Sequence, residues 1–209
     1  MGRTKQHSIS SVGWIISSIH AFQLFRIFTN NLKIYIMNLQ INLTNKIGKG
    51  LFSTCYLQDD KKTVVLKSTD YIKECMSMGW FPFSKYFPIV EHIKDDLFKM
   101  KYYKRVSSLK TTLKPKQYEI YKELRSLNVG YIKNPYNLMD AWRAEFNKVS
   151  NIAMRKALNN ALDGCGNYGT DIHFEISPRN VSTNNGNLIL LDCFFIKSQA
   201  DKIRTKKNY

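Results

Sequence analysis

The chain has 209 residues, a formal net charge of +16 and 44% hydrophobic residues. This length allows one domain of two lobes with a buried core, and the apolar fraction excludes a mainly disordered chain. The charge attracts polyanions, but Lys outnumbers Arg 24 to 8, and Arg is the better bidentate ligand of phosphates and bases. We therefore expect non-specific basicity and no specific nucleic-acid partner.

The four cysteines are scattered along the chain without a C-x-x-C pair, and only four histidines accompany them. This spacing predicts neither a zinc site nor a disulfide framework. We expect buried, reduced thiols in a cytoplasmic protein. The cysteines are Cys55, Cys75, Cys165 and Cys193.

Residues 1–36 are interpreted as an N-terminal extension, and the working domain is expected to begin near Met37. The apolar segment 12–28 faintly resembles a signal peptide or a membrane-surface helix. Arg26 interrupts the segment before the roughly 20 apolar residues that a spanning helix needs, so no membrane span is predicted.

The first half of the domain, residues 37–105, reads as a small strand-rich lobe. Apolar segments separated by turns predict an antiparallel sheet, a short helix and a second hairpin. The predicted strand segments are 39–48, 51–58 and 62–68, the helix is 70–80, and the hairpin is 87–106.

The second half, residues 106–209, reads as a lobe that begins with helices. Pro115 opens a helix over 115–127, and one longer helix is predicted over 136–164, with Gly164 as its stop. An Asn-Asn-Gly turn at 184–186 lies between two apolar segments and predicts a tight hairpin.

That hairpin predicts which polar residues converge. Its entrance residue, Asn180, and its exit residue, Asp192, come close together when the chain folds back. An amide oxygen and a carboxylate suit Mg²⁺, which keeps its other positions for water and phosphates. Glu175 stands five residues before Asn180, placed to orient or deprotonate an attacking hydroxyl. Taken singly, these residues are better explained as a loop cap, a strand end and a solvated acid.

Near the start of the domain, Gly48 and Gly50 stand between two strand segments. This arrangement serves a backbone that must approach phosphates closely, although two glycines also suit a plain turn. Lys67 follows on the next strand in V-V-L-K, where it is either a solvated strand residue or a clamp on nucleotide phosphates.

In chain order, G-x-G-x-F-S-x-C-Y, V-V-L-K, H-F-E-x-x-P-x-N and D-C-F resemble the motifs of the protein-kinase fold over residues 41–196. The brevity of the chain is most similar to the compact serine/threonine kinases of tailed bacteriophages. The resemblance implies an α+β, two-lobed fold with a small strand-rich N-lobe and a reduced helical C-lobe. It also implies ATP and Mg²⁺ as cofactors, and transfer of the γ-phosphoryl group to Ser or Thr of a host protein in the host cytoplasm.

The resemblance also implies a role for each matching residue. Glu175 becomes the analogue of the catalytic acid, with Asp171 as second choice, and Glu74 pairs with Lys67, with Glu91 as fallback. The remaining roles are phosphate covering by Gly48, Gly50 and Ser53, phosphate binding by Lys67, and metal binding by Asn180 and Asp192.

Three features depart from the family pattern. Glu175 stands where the family has Asp, Phe174 replaces the preceding Arg, and D-F-G has become D-C-F. An extra methylene moves a carboxylate by about an ångström, which can reduce the rate on the order of 10²-fold. Seventeen residues follow Asp192, too few for a full activation segment and a peptide-holding subdomain.

Three other functions stay open at this point. A pseudokinase would bind and redirect a host protein without phosphoryl transfer. A small-molecule kinase similar to the aminoglycoside phosphotransferases would use the same metal and base. A basic nucleic-acid binder would bind DNA with an affinity that falls steeply with salt.

Overall fold

The computed structural model describes residues 41–130 and 138–207. Within these ranges lie nine strands and six α-helices. The strands are β1 Lys46–Lys49, β2 Ser53–Leu57, β3 Thr63–Ser68, β4 Val90–Lys94, β5 Leu97–Lys101, β6 Ile172–Phe174, β7 Val181–Asn184, β8 Asn187–Leu190 and β9 Phe194–Ile196. The helices are α1 Tyr71–Ser77, α2 Leu109–Thr112, α3 Pro115–Ser126, α4 Leu138–Asn147, α5 Ile152–Cys165 and α6 Lys197–Lys207. The predicted extension 1–36 lies outside the described residues.

The first five strands form one antiparallel sheet in the order β1-β2-β3-β5-β4. Val64 and Leu66 of β3 are almost fully buried, and Leu66 pairs with Cys55 of β2 and Phe98 of β5. Helix α1 follows β3 and packs against β4 and β9. The sheet therefore buries one face against elements from the second half of the chain.

Strand β1 is shorter than the predicted segment 39–48. Before it, the Asn42 amide donates to Gln58 Oε1 at 3.0 Å, and the Thr44 amide donates to Asn42 Oδ1 at 2.9 Å. Because these side chains bond to backbone amides outside the ladder, the described part of the predicted segment, which starts at residue 41, forms strand only from Lys46.

The single long helix predicted over 136–164 is wrong, because two helices, α4 and α5, occupy the described part of that segment. The Asn151 side chain accepts a hydrogen bond from the Met154 amide at 2.9 Å and begins α5 as its N-cap. The Glu123 carboxylate of α3 also accepts from the Ser150 amide at 2.7 Å and from the Ser150 hydroxyl at 2.9 Å. These bonds stabilise the break between the helices.

A cluster of phenylalanines joins the helices to the small strands. Phe174 of β6, Phe146 of α4 and Phe194 of β9 contact one another, with the ring centroid of Phe174 at 5.1 Å from each of the other two. All three rings are buried, and full burial of each contributes roughly 1.5–3 kcal/mol. The cluster holds the paired strands β6 and β9 against the helices. The residues of the predicted catalytic loop follow β6 and precede β9 in the sequence.

The hairpin predicted about residues 184–186 is present as β7 and β8. Asn185 and Gly186 have φ angles of 52° and 77°, as a two-residue hairpin turn with positive φ at both central positions requires. The Lys114 amide donates to the Gly186 carbonyl at 2.9 Å, so the turn is anchored at the start of α3.

The elements that carry the four predicted motifs stand in the order the sequence predicts. A glycine-containing β1–β2 hairpin precedes β3 and α1, and the second half contributes helices followed by β6, the β7–β8 hairpin and Asp192. The α+β, two-lobed kinase-like fold class is thereby confirmed. Among the described residues, no helix has both the length and the hydropathy needed to cross a membrane.

Candidate active site

A cleft of about 590 Å³ lies between the five-stranded sheet and the second half of the chain. Val64, Leu66 and Met100 of the sheet give it an apolar wall. Its charged lining residues are one acid, Asp192, and four cations. The cations are Lys49, Lys73, Arg105 and Arg179. Such a cleft suits a ligand with an apolar ring and several negative charges.

The glycine segment lies along one edge of this cleft. Gly48 and Ser53 line it, and the Gly50 amide donates to the Ser53 carbonyl at 2.7 Å to close the turn. A Cβ added at Gly48 would be 3.9 Å from Cys55 Cβ. Because that is ordinary contact distance, the fold itself does not require glycine at this position.

Lys67 lies on the other side of the sheet from the cleft. Side chains alternate along a strand, so the neighbours Leu66 and Ser68 share one face and Lys67 has the opposite one. Its side chain is 56% exposed, and its Nζ is 3.9 Å from an Asp96 carboxylate oxygen. The structure therefore does not bring Lys67 to Asp192.

Lys73 of α1, which the sequence reasoning missed, is the lysine that contacts Asp192. Its Nζ donates to Asp192 Oδ1 at 2.9 Å and to the Leu191 carbonyl at 2.9 Å. The side chain is only 4% exposed, whereas that of Asp192 is 47% exposed. Burial alone would lower the pKa of Lys73, but the charges of Asp192 and Asp70 and the hydrogen bond with Asp192 raise it. The ammonium is therefore charged at neutral pH.

Asp70 lies at the start of the same helix and is 2% exposed. Its Oδ1 accepts from the Ile72 amide at 2.9 Å as the N-cap of α1, while its Oδ2 has no hydrogen-bond partner among the described residues. Burial raises the pKa of Asp70 to about 7, opposed by the charge of Lys73 and reinforced by that of Asp192. Asp70, Lys73 and Asp192 thus interact with one another, although Asp70 does not line the cleft.

The backbones of Asn180 and Asp192 meet across the base of the β7–β8 hairpin. The Asn180 carbonyl accepts from the amides of Leu191 at 2.8 Å and Asp192 at 3.3 Å, and from Cys193 Sγ at 3.4 Å. Among the described residues, no three His, Cys, Asp or Glu side chains form a metal-binding group. Asp192 is half exposed and lines the cleft, whereas Asn180 does not line it, so the structure joins these two residues through their backbones.

Glu175 directly follows β6, and its amide donates to the Cys193 carbonyl at 2.8 Å. Its exposed side chain borders a depression shared with Trp142, His173 and Phe195, separate from the 590 Å³ cleft. The structure thus places the backbone of Glu175 beside the Asp192 motif, but its carboxylate outside the cleft lining.

Asp171, the second choice for the base, has a structural partner. Its Oδ2 accepts from the Ser198 amide at 2.6 Å, and its carbonyl accepts from the Lys197 amide at 3.0 Å. These bonds satisfy amides in the first turn of α6, as a helix cap does.

The two candidate glutamates for pairing with Lys67 also lie elsewhere. Glu74 is half-buried on α1, where its charge and hydrogen bond add to burial in raising the pKa of Tyr168 to about 12. Glu91 is exposed on β4, opposite Lys99 of β5.

The class of fold defined by these elements is the two-lobed kinase-like fold. Comparisons with known proteins gave only remote matches. No protein-family model and no curated protein matches the chain. One similar solved structure is the ternary complex of APH(2″)-IIa with streptomycin and ATP, at 16% identity and a TM-score of 0.36, covering 80% of this chain and 71% of that one.

Two further solved structures are similarly distant. The ADP-bound aminoglycoside phosphotransferase APH(2″)-Ib matches at 16% identity and a TM-score of 0.37, covering 79% of this chain and 70% of that one. The gentamicin complex of APH(2″)-IIa matches at 16% identity and a TM-score of 0.36, with the same coverage. Because all three matches are remote, the function of this chain has to follow from its own residues.

Proposed function

We propose that the chain is an ATP-dependent phosphotransferase that transfers the γ-phosphoryl group to a hydroxyl. The observation that supports this most is the ion pair between the buried Lys73 and the half-exposed Asp192 in a cationic cleft bordered by Gly48. Phosphoryl transfer needs mainly positioning and neutralisation of phosphate charge. A cleft with four cations, one half-exposed carboxylate and an apolar wall offers both.

The proposed roles follow the cleft from its edge to its inner end. Gly48, Gly50 and Ser53 cover the phosphates, and Asn180 with Asp192 would hold Mg²⁺. When bound, this ion would neutralise charge on the phosphate oxygens. Glu175 would orient the acceptor hydroxyl, a role that needs its exposed side chain to turn toward the cleft when substrate binds. The proposed N-lobe is 37–105 and the C-lobe 106–209, with 1–36 as an extension.

We propose Ser or Thr of a protein as the acceptor, following the resemblance to compact phage kinases. On that proposal the protein acts on a host protein in the host cytoplasm. A pseudokinase is the second candidate, favoured by the position of the Glu175 carboxylate outside the cleft lining. It would bind nucleotide in the same cleft without transferring phosphate.

Binding can be tested through a natural reporter in the cleft. Cys55 lines the cleft and is only partly buried, whereas Cys75, Cys165 and Cys193 are buried. Burial raises the pKa of Cys55 to about 11, so alkylation at pH 8.5 is slow and its rate is easily followed. Bound ATP should slow labelling of Cys55 by at least about tenfold at saturation, read by peptide mass spectrometry. An unchanged rate at millimolar ATP would contradict nucleotide binding in this cleft.

Transfer is tested with γ-labelled ATP and Mg²⁺, using a generic basic protein and a set of small alcohols as acceptors. Asp192→Asn should reduce transfer to background. The matched change Asp201→Asn, on exposed helix α6, should leave it unchanged. Label on a small alcohol but on no protein would reject the protein acceptor. Protection of Cys55 without any transfer would favour the pseudokinase.

A further inference from the structure

We propose that the phosphate-binding lysine of this chain is Lys73 of helix α1, with Asp70 as its buried counter-charge, and that Lys67 of β3 has no part in the site. The inference rests on the proposed nucleotide function and assigns the lysine of that site. It replaces both members of the lysine–acid pair that the resemblance implies, Lys67 and Glu74, with Lys73 and Asp70, which lie three residues apart at the start of α1.

The contacts of Lys73 are those of a group that holds Asp192 in place. A buried ammonium is stable only when it is paired and hydrogen-bonded. Here the Lys73 amine bonds to the Asp192 carboxylate and to the carbonyl of Leu191, the preceding residue, both at 2.9 Å. The first bond orients the carboxylate, and the second holds the amine against the backbone beside it.

The same amine has capacity for a ligand. An ammonium has three N–H donors, and among the described residues two of them have acceptors, Asp192 Oδ1 and the Leu191 carbonyl. Lys73 lines the cleft together with Gly48 and Ser53. The third donor is therefore placed to bind a phosphate oxygen that enters beneath the glycine segment.

Asp70 supplies the second negative charge near this lysine. It is 2% exposed, its Oδ2 has no hydrogen-bond partner among the described residues, and it interacts electrostatically with both Lys73 and Asp192. Because Asp70 and Lys73 are three residues apart in the first turn of α1, they share one side of the helix. A phosphate bound at Lys73 would thus lie beside a helix turn that carries both this lysine and a buried acid.

Lys67 neither contacts Asp192 nor lines the cleft. It is more than half exposed, its amine lies near Asp96, and the strand alternation directs it away from the cleft. Moving it to the cleft face would require a one-residue shift of β3 against β2 and β5, which would also turn Val64 and Leu66 away from the cleft that they line.

The test compares the affinities of ATP and adenosine in EDTA, where neither metal binding nor catalysis contributes. Lys73→Met should weaken ATP binding roughly ten- to hundredfold, the range expected for a hydrogen bond between charged groups. It should change adenosine affinity less than about twofold. Lys67→Met should leave ATP affinity unchanged, whereas it should weaken ATP binding if Lys67 were the phosphate-binding lysine. Lys99→Met on β5 controls for the loss of one positive charge.

A second comparison covers the case in which Lys73→Met fails to fold because Asp192 loses its partner. Asp192→Asn alone should bind ATP in EDTA at least as tightly as the wild type, because it removes a negative charge from the cleft. Lys73→Met combined with Asp192→Asn leaves no unpaired ion at that contact and should bind ATP at least about tenfold more weakly than Asp192→Asn.

The outcomes separate the two proposals. A wild-type protein that binds neither ATP nor adenosine would reject the proposed function. Wild-type binding that is weakened by Lys67→Met and unchanged in both Lys73 variants would keep the nucleotide function and overturn the assignment of Lys73.

Discussion

Asp70 links the charge of the cleft to the stability of the protein. Burial raises its pKa to about 7, against about 3.9 in an unfolded chain. Between about pH 4 and pH 7 the folded state therefore holds a proton that the unfolded state has released. The free energy of unfolding contributed by this group falls as the pH rises through that window, and it is constant above about pH 8.

Asp70→Asn should remove this dependence and keep the helix cap, because an asparagine oxygen also accepts from the Ile72 amide. Urea unfolding at pH 5, 6, 7 and 8 would measure the effect. The wild type should lose stability relative to the variant with rising pH up to about 7, by at most about 1.4 kcal/mol per pH unit. Other titrating groups, such as His173, cancel in the difference. Parallel curves, or a wild type that gains on the variant, would contradict a raised pKa at Asp70.

The contrast between Lys67 and Lys73 shows what a motif can predict about a single residue. V-V-L-K places a lysine on the third strand, but the face it occupies depends on the strand register, which reverses with a shift of one residue. Lys73 gave a weaker sequence signal, a lysine beside Ile72 and Met76 on the buried side of a short helix. Its partner Asp192 lies 119 residues along the chain, so only the folded structure pairs them.

Helix α5 contributes a stability prediction because it packs Gly164 against the backbone of Trp80. A Cβ at Gly164 would lie 2.3 Å from the Trp80 carbonyl oxygen. Alanine normally stabilises a helix interior by about 1 kcal/mol over glycine, but here the backbone would have to shift. Gly164→Ala should therefore destabilise the fold by about 1–3 kcal/mol, as measured by urea unfolding.

The matched variant is Gly48→Ala, whose Cβ would have its nearest neighbour at 3.9 Å. It should unfold at nearly the wild-type urea concentration. Equal stability of Gly164→Ala and the wild type would show that the segment around Trp80 moves aside at little cost in free energy.

The elements that the sequence predicts best are those with local signals. Pro115 and the Asn-Asn-Gly turn act within a few residues, and both α3 and the β7–β8 hairpin form as predicted. The break between α4 and α5 depends partly on Glu123 bonding to Ser150 from 27 residues away. The helical periodicity continues through that break, so the pattern alone indicated one helix.

For the whole molecule, the net charge of +16 and the charge of the cleft affect the binding of anions in different ways. The cleft has four cations and one acid among its lining residues, whereas most of the 32 Lys and Arg residues lie elsewhere in the chain. Exposed charges are screened by salt, and buried ones are screened much less. Salt therefore separates non-specific attraction of polyanions from binding in the cleft.

We predict that duplex DNA binds this protein at low salt and is released as salt rises. If DNA contacts six to ten cations, its affinity should fall roughly 10³–10⁵-fold between 50 and 200 mM salt. ATP can contact at most the four cations of the cleft, of which Lys73 is buried, so its affinity should fall by a much smaller factor over the same range, measured by fluorescence titration of both ligands. Asp192→Asn should abolish phosphoryl transfer and leave the salt dependence of DNA binding unchanged. DNA binding that resists 200 mM salt would instead indicate a specific nucleic-acid site and would favour a nucleic-acid-binding function over phosphoryl transfer.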